Sequence, residues 1–287
     1  MIKEVNKSIL KEIYKTRKKT AHKDDFGRLI IIGGNEKYSG SPGFNALAAF
    51  HSIKAMSAYR SGADIVEVAA PKRAADIVAK FSPDIITIPL KGNFLTKQHL
   101  KILLKESKNK TAFIIGGGLG RKKPTLETVK NYLKKVKIQG VIDADAIYAI
   151  KSSKINLNNF VITPHAHEFF ILTGEKVKTS LKEKISQVKN KAKKLNTTIV
   201  LKGSEDIISN GDKTVINHTG NPYMSVGGTG DTLAGICGSL IAQGNSLFES
   251  ACAAAYINGK AGELTKRKSS LTASDLLEKI GKVVDSA

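Results

Sequence analysis

Seven short apolar runs punctuate the chain, and each meets glycine, proline or aspartate before a longer segment begins: RLIIIGG (28–34), DIVEVAA (64–70), DIITIP (84–89), TAFII (111–115), VIDADA (141–146), FVITP (160–164) and TIVLKG (198–203). Runs of this length buried on both sides are strands, and the segments between them carry the three-to-four-residue apolar spacing of helices. Helical patterns are expected over 44–61 (closed by Gly62), 72–81, 96–107, 125–136 and 180–195. After a hairpin (206–209 with 213–217), three more run from the glycine loop to Gln243, from 248 to about 266 and from 273 to 284. Strands alternating with helices require crossover connections, so the expected fold is α/β, a three-layer α/β/α sandwich with a mostly parallel central sheet. Residues 1–21 read as a basic N-terminal lead-in and 22–287 as a single domain.

Ligands of such sheets bind beyond the carboxyl ends of the strands, and the chemically distinctive residues fall there. The most constrained is Asn221-Pro222-Tyr223-Met224-Ser225-Val226-Gly227-Gly228-Thr229-Gly230-Asp231, which runs into the apolar, small-residue helix TLAGICGSLI. Three glycines in four residues bare the backbone at a helix mouth, where free N–H groups and the helix dipole favour a phosphate. Asp231 at a helix start has an ordinary explanation as an N-cap. That leaves the glycines unexplained, whereas an acid beside an anion site is placed to take a proton from an alcohol attacking a phosphoryl group. Gly116–Arg121 (GGGLGR) matches neither the dinucleotide GxGxxG spacing nor a phosphate-binding Walker loop, yet it lets a ligand approach the backbone closely. His165 and His167 stand two apart and do not share a helix face, and no ligand cluster follows. The pair therefore reads as one ring in a cleft with Glu168 capping or orienting the helix start, not as a transition-metal site.

Composition removes several classes. A net charge of +21 raises nucleic acid as a partner, but there is no Trp, the aromatics do not interleave with the basic residues, and no nucleic-acid-binding signature is present, so the lysines read as solvated helix faces. Cys237 and Cys252 lie in apolar helical patterns, which argues against a disulfide framework and for a reducing, cytoplasmic setting. No membrane span or signal segment is expected.

The combination of HKDDFGRLIIIGGNEKYSGSP (22–42), RSGADIVEVAAP (60–71), IIGGGLGR (114–121), VIDADAI (141–147), ITPHAHEF (162–169), VLKGSEDII (200–208), NPYMSVGGTGDTLAG (221–235) and NGKAGE (258–263) resembles the NAD(P)H-hydrate dehydratases of the YjeF carboxy-terminal type. These belong to the ribokinase-like superfamily. The resemblance implies metabolite repair: hydrated NADH or NADPH is phosphorylated on its ring hydroxyl and loses phosphate to restore NAD(P)H. The implied donor is ADP, with ATP less favoured, and Mg2+ is the implied cofactor, its ligands unnamed. Carried over by position, the hydrated dinucleotide meets Ser41, Gly118, His165 and Asp231, with Asp231 catalytic. The adenine nucleotide meets Lys202, Gly203, Ser204, Glu205, Asp206, Gly228, Thr229 and Gly230, and Asn221 lies near the phosphates. Two departures stand out: Gly40-Ser41-Pro42 replaces the usual Gly-Ala-Pro, and the distance from it to Arg60-Ser61-Gly62 is longer by roughly two helical turns. The epimerase domain fused ahead of many members does not fit in 27 residues, so a separate epimerase protein is expected, and relatives' assembly implies a homo-tetramer. The rival is a small-molecule kinase of the same superfamily, of hydroxymethylpyrimidine or hydroxyethylthiazole type; His165 with Glu168 and the KGSED turn favour the dehydratase.

Overall fold

A computed structural model describes residues 3–14, 27–54, 65–151 and 153–286, with the side chains of 51–54 left aside. In chain order the elements are β1 (Lys3–Glu4), α1 (Ser8–Ile13), β2 (Arg28–Ile32), α2 (Gly40–Lys54), β3 (Ile65–Pro71), α3 (Lys72–Val78), β4 (Ile85–Leu90), α4 (Leu100–Ser107), β5 (Ala112–Ile115), α5 (Lys123–Lys135) and β6 (Gln139–Ile142). They continue with α6 (Asp145–Ile150), β7 (Phe160–Ile162), α7 (Ala166–Thr173), α8 (Leu181–Leu195), β8 (Thr198–Leu201), β9 (Asp206–Ser209), β10 (Thr214–Asn217), α9 (Thr229–Ala242), α10 (Leu247–Leu264) and α11 (Ala273–Val284).

The strands form one sheet in the order β1-β10-β9-β8-β7-β6-β5-β2-β3-β4. Pairing is parallel except where β9 runs antiparallel to β8 and β10. Strand alternation divides the core. Leu29, Ile31, Ile114, Val141 and Val200 point to a layer built by α2, α9, α10 and α11. Their neighbours Ile30, Ile32, Phe113, Ile115 and Ile142 point to the opposite layer with α4, α5 and α6. Ile199, Leu201 and Ile207 pack on α7 and α8. Both faces are thus covered, which is why the strands read as unbroken apolar runs. The expected sandwich is the observed one.

Helix α9 is buried from Thr232 to Ala242. Its small residues have a packing cause: a Cβ on Gly235 would stand 2.5 Å from the Asn45 carbonyl oxygen, so α2 and α9 approach backbone to backbone. Cys237 and Cys252 are free and buried in this layer, as small hydrophobes. Among the described residues no helix is long and apolar enough to cross a membrane.

Several stretches differ from the sequence reading or escape it, among them α6, which begins at Asp145 inside the expected 141–146 strand. The lead-in contributes structure: Lys3 and Glu4 pair with Val215 and Ile216, and Leu10 and Ile13 enter the core. Helix α2 begins at Gly40, ahead of the expected Phe44, and takes Ser41 and Pro42 into its first turn, where a missing N–H costs no intrahelical bond. Its expected end at Ser61 and Gly62, the stretch from His22 to Phe26 and the Arg60-Ser61-Gly62 departure lie outside the described residues.

The chain reverses direction across the sheet between β2 and β5. It steps outward through β3 and β4, returns to β5, and proceeds the other way through β6 and β7. The carboxyl ends of β2 and β5 flank this switch point, where the Gly34 N–H donates to the Gly117 carbonyl at 2.8 Å.

Candidate active site

Gly228 caps α9 at φ +98, and a Cβ there would stand 2.7 Å from that of Ala273. Thr229 Oγ1 donates to the carbonyls of Met224 (2.9 Å) and Val226 (3.0 Å), folding the preceding loop over the helix mouth. Asp231 therefore sits inside the first turn and is not the cap. Its carboxylate accepts a hydrogen bond from Ser41 Oγ, and its backbone carbonyl accepts from Asn45 Nδ2 at 2.8 Å. The first turns of α2 and α9 are joined at this point. Gly117 runs beneath them, and a Cβ on it would lie 2.8 Å from Asp231 Oδ1 and 2.7 Å from Ser41 Oγ.

Behind Asp231 is a buried charge cluster. Asp143 Oδ1, just past β6, accepts from Thr163 Oγ1 at 2.7 Å and from Lys202 Nζ at 3.0 Å. Lys202 Nζ is also 3.9 Å from Glu168 Oε2. The Asp143 and Glu168 side chains are 3% and 6% exposed, so one ammonium serves two acids that have almost no water to solvate them. Burial pushes the Asp231 carboxyl up to about 7; the Asp143 charge adds to this, while the Ser41 bond and Lys202 oppose it. Glu168 is raised mainly by burial, against the pull of Lys202. Burial alone would lower the Lys202 ammonium, but Asp143 and Glu168 carry it above its ordinary value.

His165 is the N-cap of α7: its Nδ1 accepts from the N–H groups of His167 (3.1 Å) and Glu168 (3.4 Å), and Glu168 Oε2 accepts the His165 N–H (2.9 Å). This reciprocal box is the capping expected of Glu168. An accepting Nδ1 assigns the proton of the neutral ring to Nε2, and burial, then Lys202, lowers the ring's pKa, so His165 is neutral at pH 7. Among the described residues no group of three or more His, Cys, Asp or Glu is arranged to hold a metal ion.

The turn after β8 is shaped by Asp206, which accepts from the Gly203 N–H (3.2 Å) and from Asn217 Nδ2 (3.1 Å) and is pushed up to about 6 by burial. A cleft of about 750 Å3 opens between this turn and the α9 mouth, lined by His165, Lys202, Gly203, Ser204, Asp206, Asn221, Thr229 and Gly230 among others. A second, of about 740 Å3, holds Tyr38, Ser41, Gly118, Arg121 and Asp145. Ser41, which lines the second cleft, holds Asp231, which follows Gly230 at the mouth of the first. Of the expected substrate contacts, Ser41 and Gly118 share the second cleft, while His165 lies in the first with the expected nucleotide contacts. Glu205 and Gly228 stand beside that lining and not in it.

Asn45, Thr163 and Asn258 were not singled out from the sequence. Asn258 accepts from Thr232 Oγ1 (2.7 Å) and donates to the Thr229 carbonyl (3.2 Å), bracing the first turn of α9 from α10. An amide on an otherwise apolar helix, such as Asn45 or Asn258, is the signal that could have marked both. Ala144, between Asp143 and Asp145, adopts φ 46 and ψ −125, a region strained for a residue with a Cβ. The kink turns Asp143 toward Lys202 and Asp145 toward the 120–121 backbone. Ala144→Gly relieves that strain at the expense of unfolded-chain entropy, so it is expected to be as stable as the parent or up to about 1 kcal/mol more stable in urea titrations. A loss of stability would contradict the strain.

A family model described as NAD(P)H-hydrate dehydratase matches residues 29–282. The ADP-dependent (S)-NAD(P)H-hydrate dehydratase of Nitrosopumilus maritimus is 36% identical over 287 residues, covering 98% of this chain and 96% of that protein. The bifunctional NAD(P)H-hydrate repair enzyme Nnr of Pyrobaculum aerophilum is 38% identical over 273 residues, covering 94% of this chain and 52% of that protein; the chain spans about half the length of such relatives. Among solved structures, a ribokinase-like superfamily protein from Enterococcus faecalis aligns with a TM-score of 0.84 at 25% identity, over 99% of this chain and 96% of that one. The ADP/ATP-dependent NAD(P)H-hydrate dehydratase of Bacillus subtilis, co-crystallised with ATP/Mg2+, shares the fold at a TM-score of 0.79 and 23% identity, over 98% and 97% of the two chains.

Proposed function

The chain belongs to the NAD(P)H-hydrate dehydratase family, and on that premise we propose that it restores NADH and NADPH from their hydrated forms with ADP as phosphoryl donor. The observation that carries this is Asp231: a buried carboxyl, raised to about 7, stands in the first turn at a bare-backbone helix mouth, beside Gly230 of one cleft and bonded to Ser41 of the other. The ADP lies in the cleft with Lys202–Asp206 and Gly230, and the hydrated ring reaches Asp231 from the cleft with Ser41 and Gly118.

Asp231 takes the proton of the ring hydroxyl as its oxygen attacks the terminal phosphorus of ADP, and AMP departs. The α9 N–H groups and dipole stabilise the transferring group. The ring nitrogen's lone pair then expels phosphate as the neighbouring ring carbon loses a proton, leaving the dihydronicotinamide. The net change is hydrated NADH and ADP to NADH, AMP and phosphate. His165, neutral, lines the nucleotide cleft with its Nε2 3.4 Å from Glu168 Oε1.

Mg2+ fits this site as an ion carried by the nucleotide's phosphate oxygens and water: Asp143 is committed to Lys202 and Thr163, Asp231 to Ser41, and no side-chain cage exists among the described residues. When bound, it neutralises phosphate charge. A homo-tetrameric assembly accompanies this reading.

The test is incubation with hydrated NADH, Mg2+ and either ADP or ATP, following the absorbance of reduced nicotinamide. Recovery of absorbance with ADP, and slower or none with ATP, is the expected result. No recovery with either nucleotide, together with phosphate transfer to a hydroxymethylpyrimidine or hydroxyethylthiazole alcohol, would replace the dehydratase by a kinase.

A further inference from the structure

We propose that Arg121 and Lys37 form a diphosphate-binding arm at the outer end of the cleft that holds Ser41 and Gly118. The inference rests on the dehydratase reading and names the contact that grips the dinucleotide by its charged bridge while the ring lies at Asp231.

Arg121 is held in place without being used up. Asp145 Oδ2 accepts the Gly120 N–H at 2.8 Å and Oδ1 accepts Arg121 Nε at 2.7 Å, so one carboxylate fixes both the backbone and the side chain of this corner. The guanidinium carbon lies 3.9 Å from the centre of the Tyr148 ring. Among the described residues the terminal Nη nitrogens make no hydrogen bond, and the side chain stays 55% exposed in the cleft lining. An arginine serving only structure typically closes its fork on a carboxylate; this one is braced through Nε and stacking, which leaves the fork for a planar array of oxygens.

The surrounding charges agree. Lys37 lines the same cleft and pairs with no acid among the described residues, whereas the adjacent Lys122 is 3.5 Å from Glu36 and lies over Phe94. Asp145 has each oxygen engaged, one by Gly120 and one by Arg121, and so orients the cation. On the dehydratase reading the ring lies at Gly118 and Ser41, which stand side by side: a Cβ on Gly118 would fall 3.3 Å from that of Ser41. Arg121 lies further along the same loop, where the group next beyond the ring and its ribose is the diphosphate.

Arg121→Gln tests this. The KM for hydrated NADH is expected to rise about tenfold or more, the scale of a lost charge-assisted contact. Meanwhile kcat, the KM for ADP and the melting temperature stay near parental values, and Arg121→Lys recovers part of the loss. The KM for hydrated NADPH should rise to the same extent. A rise confined to hydrated NADPH would give Arg121 to the 2′-phosphate and overturn the proposal. An unchanged KM would overturn it too, as would a fall in kcat alone, which marks Arg121 as merely supporting the glycine loop. Should the parent protein not turn over hydrated NADH at all, the dehydratase reading fails by itself. Calorimetry of NADH with saturating ADP then decides this one: about tenfold weaker binding by Arg121→Gln upholds the arm, and equal binding overturns it.

Discussion

Asp231→Asn is expected to lose turnover of hydrated NADH by roughly a hundred- to ten-thousand-fold, the usual worth of a positioned base, and to gain stability at pH 8. The gain follows from burial. The carboxyl has a folded pKa of about 7 against an ordinary value of 3.8. Between those values the folded chain holds a proton that the unfolded chain has released, so the native state is progressively penalised as pH rises from about 4 to about 7, and the penalty is complete above 7. A shift of about 3 units corresponds to on the order of 4 kcal/mol, an upper figure because a neutral amide accepts more weakly from Ser41 than a carboxylate does. Asparagine escapes ionisation and still accepts from Ser41. Melting curves of parent and variant should therefore diverge in favour of the variant between pH 4 and pH 8. For the parent, kcat/KM should climb through about pH 7 as the base loses its proton. A stability difference that ignores pH would remove the raised carboxyl from the account.

Lys202→Met is expected to cost about 3–5 kcal/mol near neutral pH, because it strands the buried acids Asp143 and Glu168 without their shared cation. The loss should shrink in acid, where protonated carboxyls no longer need it. Since Lys202 pulls both Glu168 and Asp231 down, removing it raises both, and the acid limb of the rate profile should move to higher pH. Binding of ADP, followed by calorimetry, should weaken as well. Lys202→Arg keeps the charge and should recover most of the stability. If Lys202→Met melts like the parent at pH 7, the cluster is not held together as described.

What was legible in the sequence was what is local. Runs such as RLIII and TAFII declare buried strands by themselves, and the glycines at 227, 228 and 230 declare a bare helix mouth, so the layers and the anion site could be read directly. The capping role of Glu168 was equally local, an acid three residues after the N-cap. Asp231 was recognisable as special, but its raised pKa depends on burial and then on Asp143, and its partner Ser41 is 190 residues away in the chain. That meeting is set by the switch point of the sheet, which no spacing encodes. The side of the site taken by His165 depends on how its ring is turned by the α7 cap. The two-residue strand Lys3–Glu4 was invisible for another reason: it is too short and too polar to have a period, and its pairing is dictated by β10.

The bond between Ser41 and Asp231 has a consequence for how a reaction starts. In the resting protein the carboxylate proposed as the base already has an alcohol in its grasp, one that belongs to the chain. An incoming hydroxyl must either take the carboxylate's other oxygen or evict the serine. Until it does, the carboxylate proposed to take the substrate's proton is kept occupied by a group that goes nowhere.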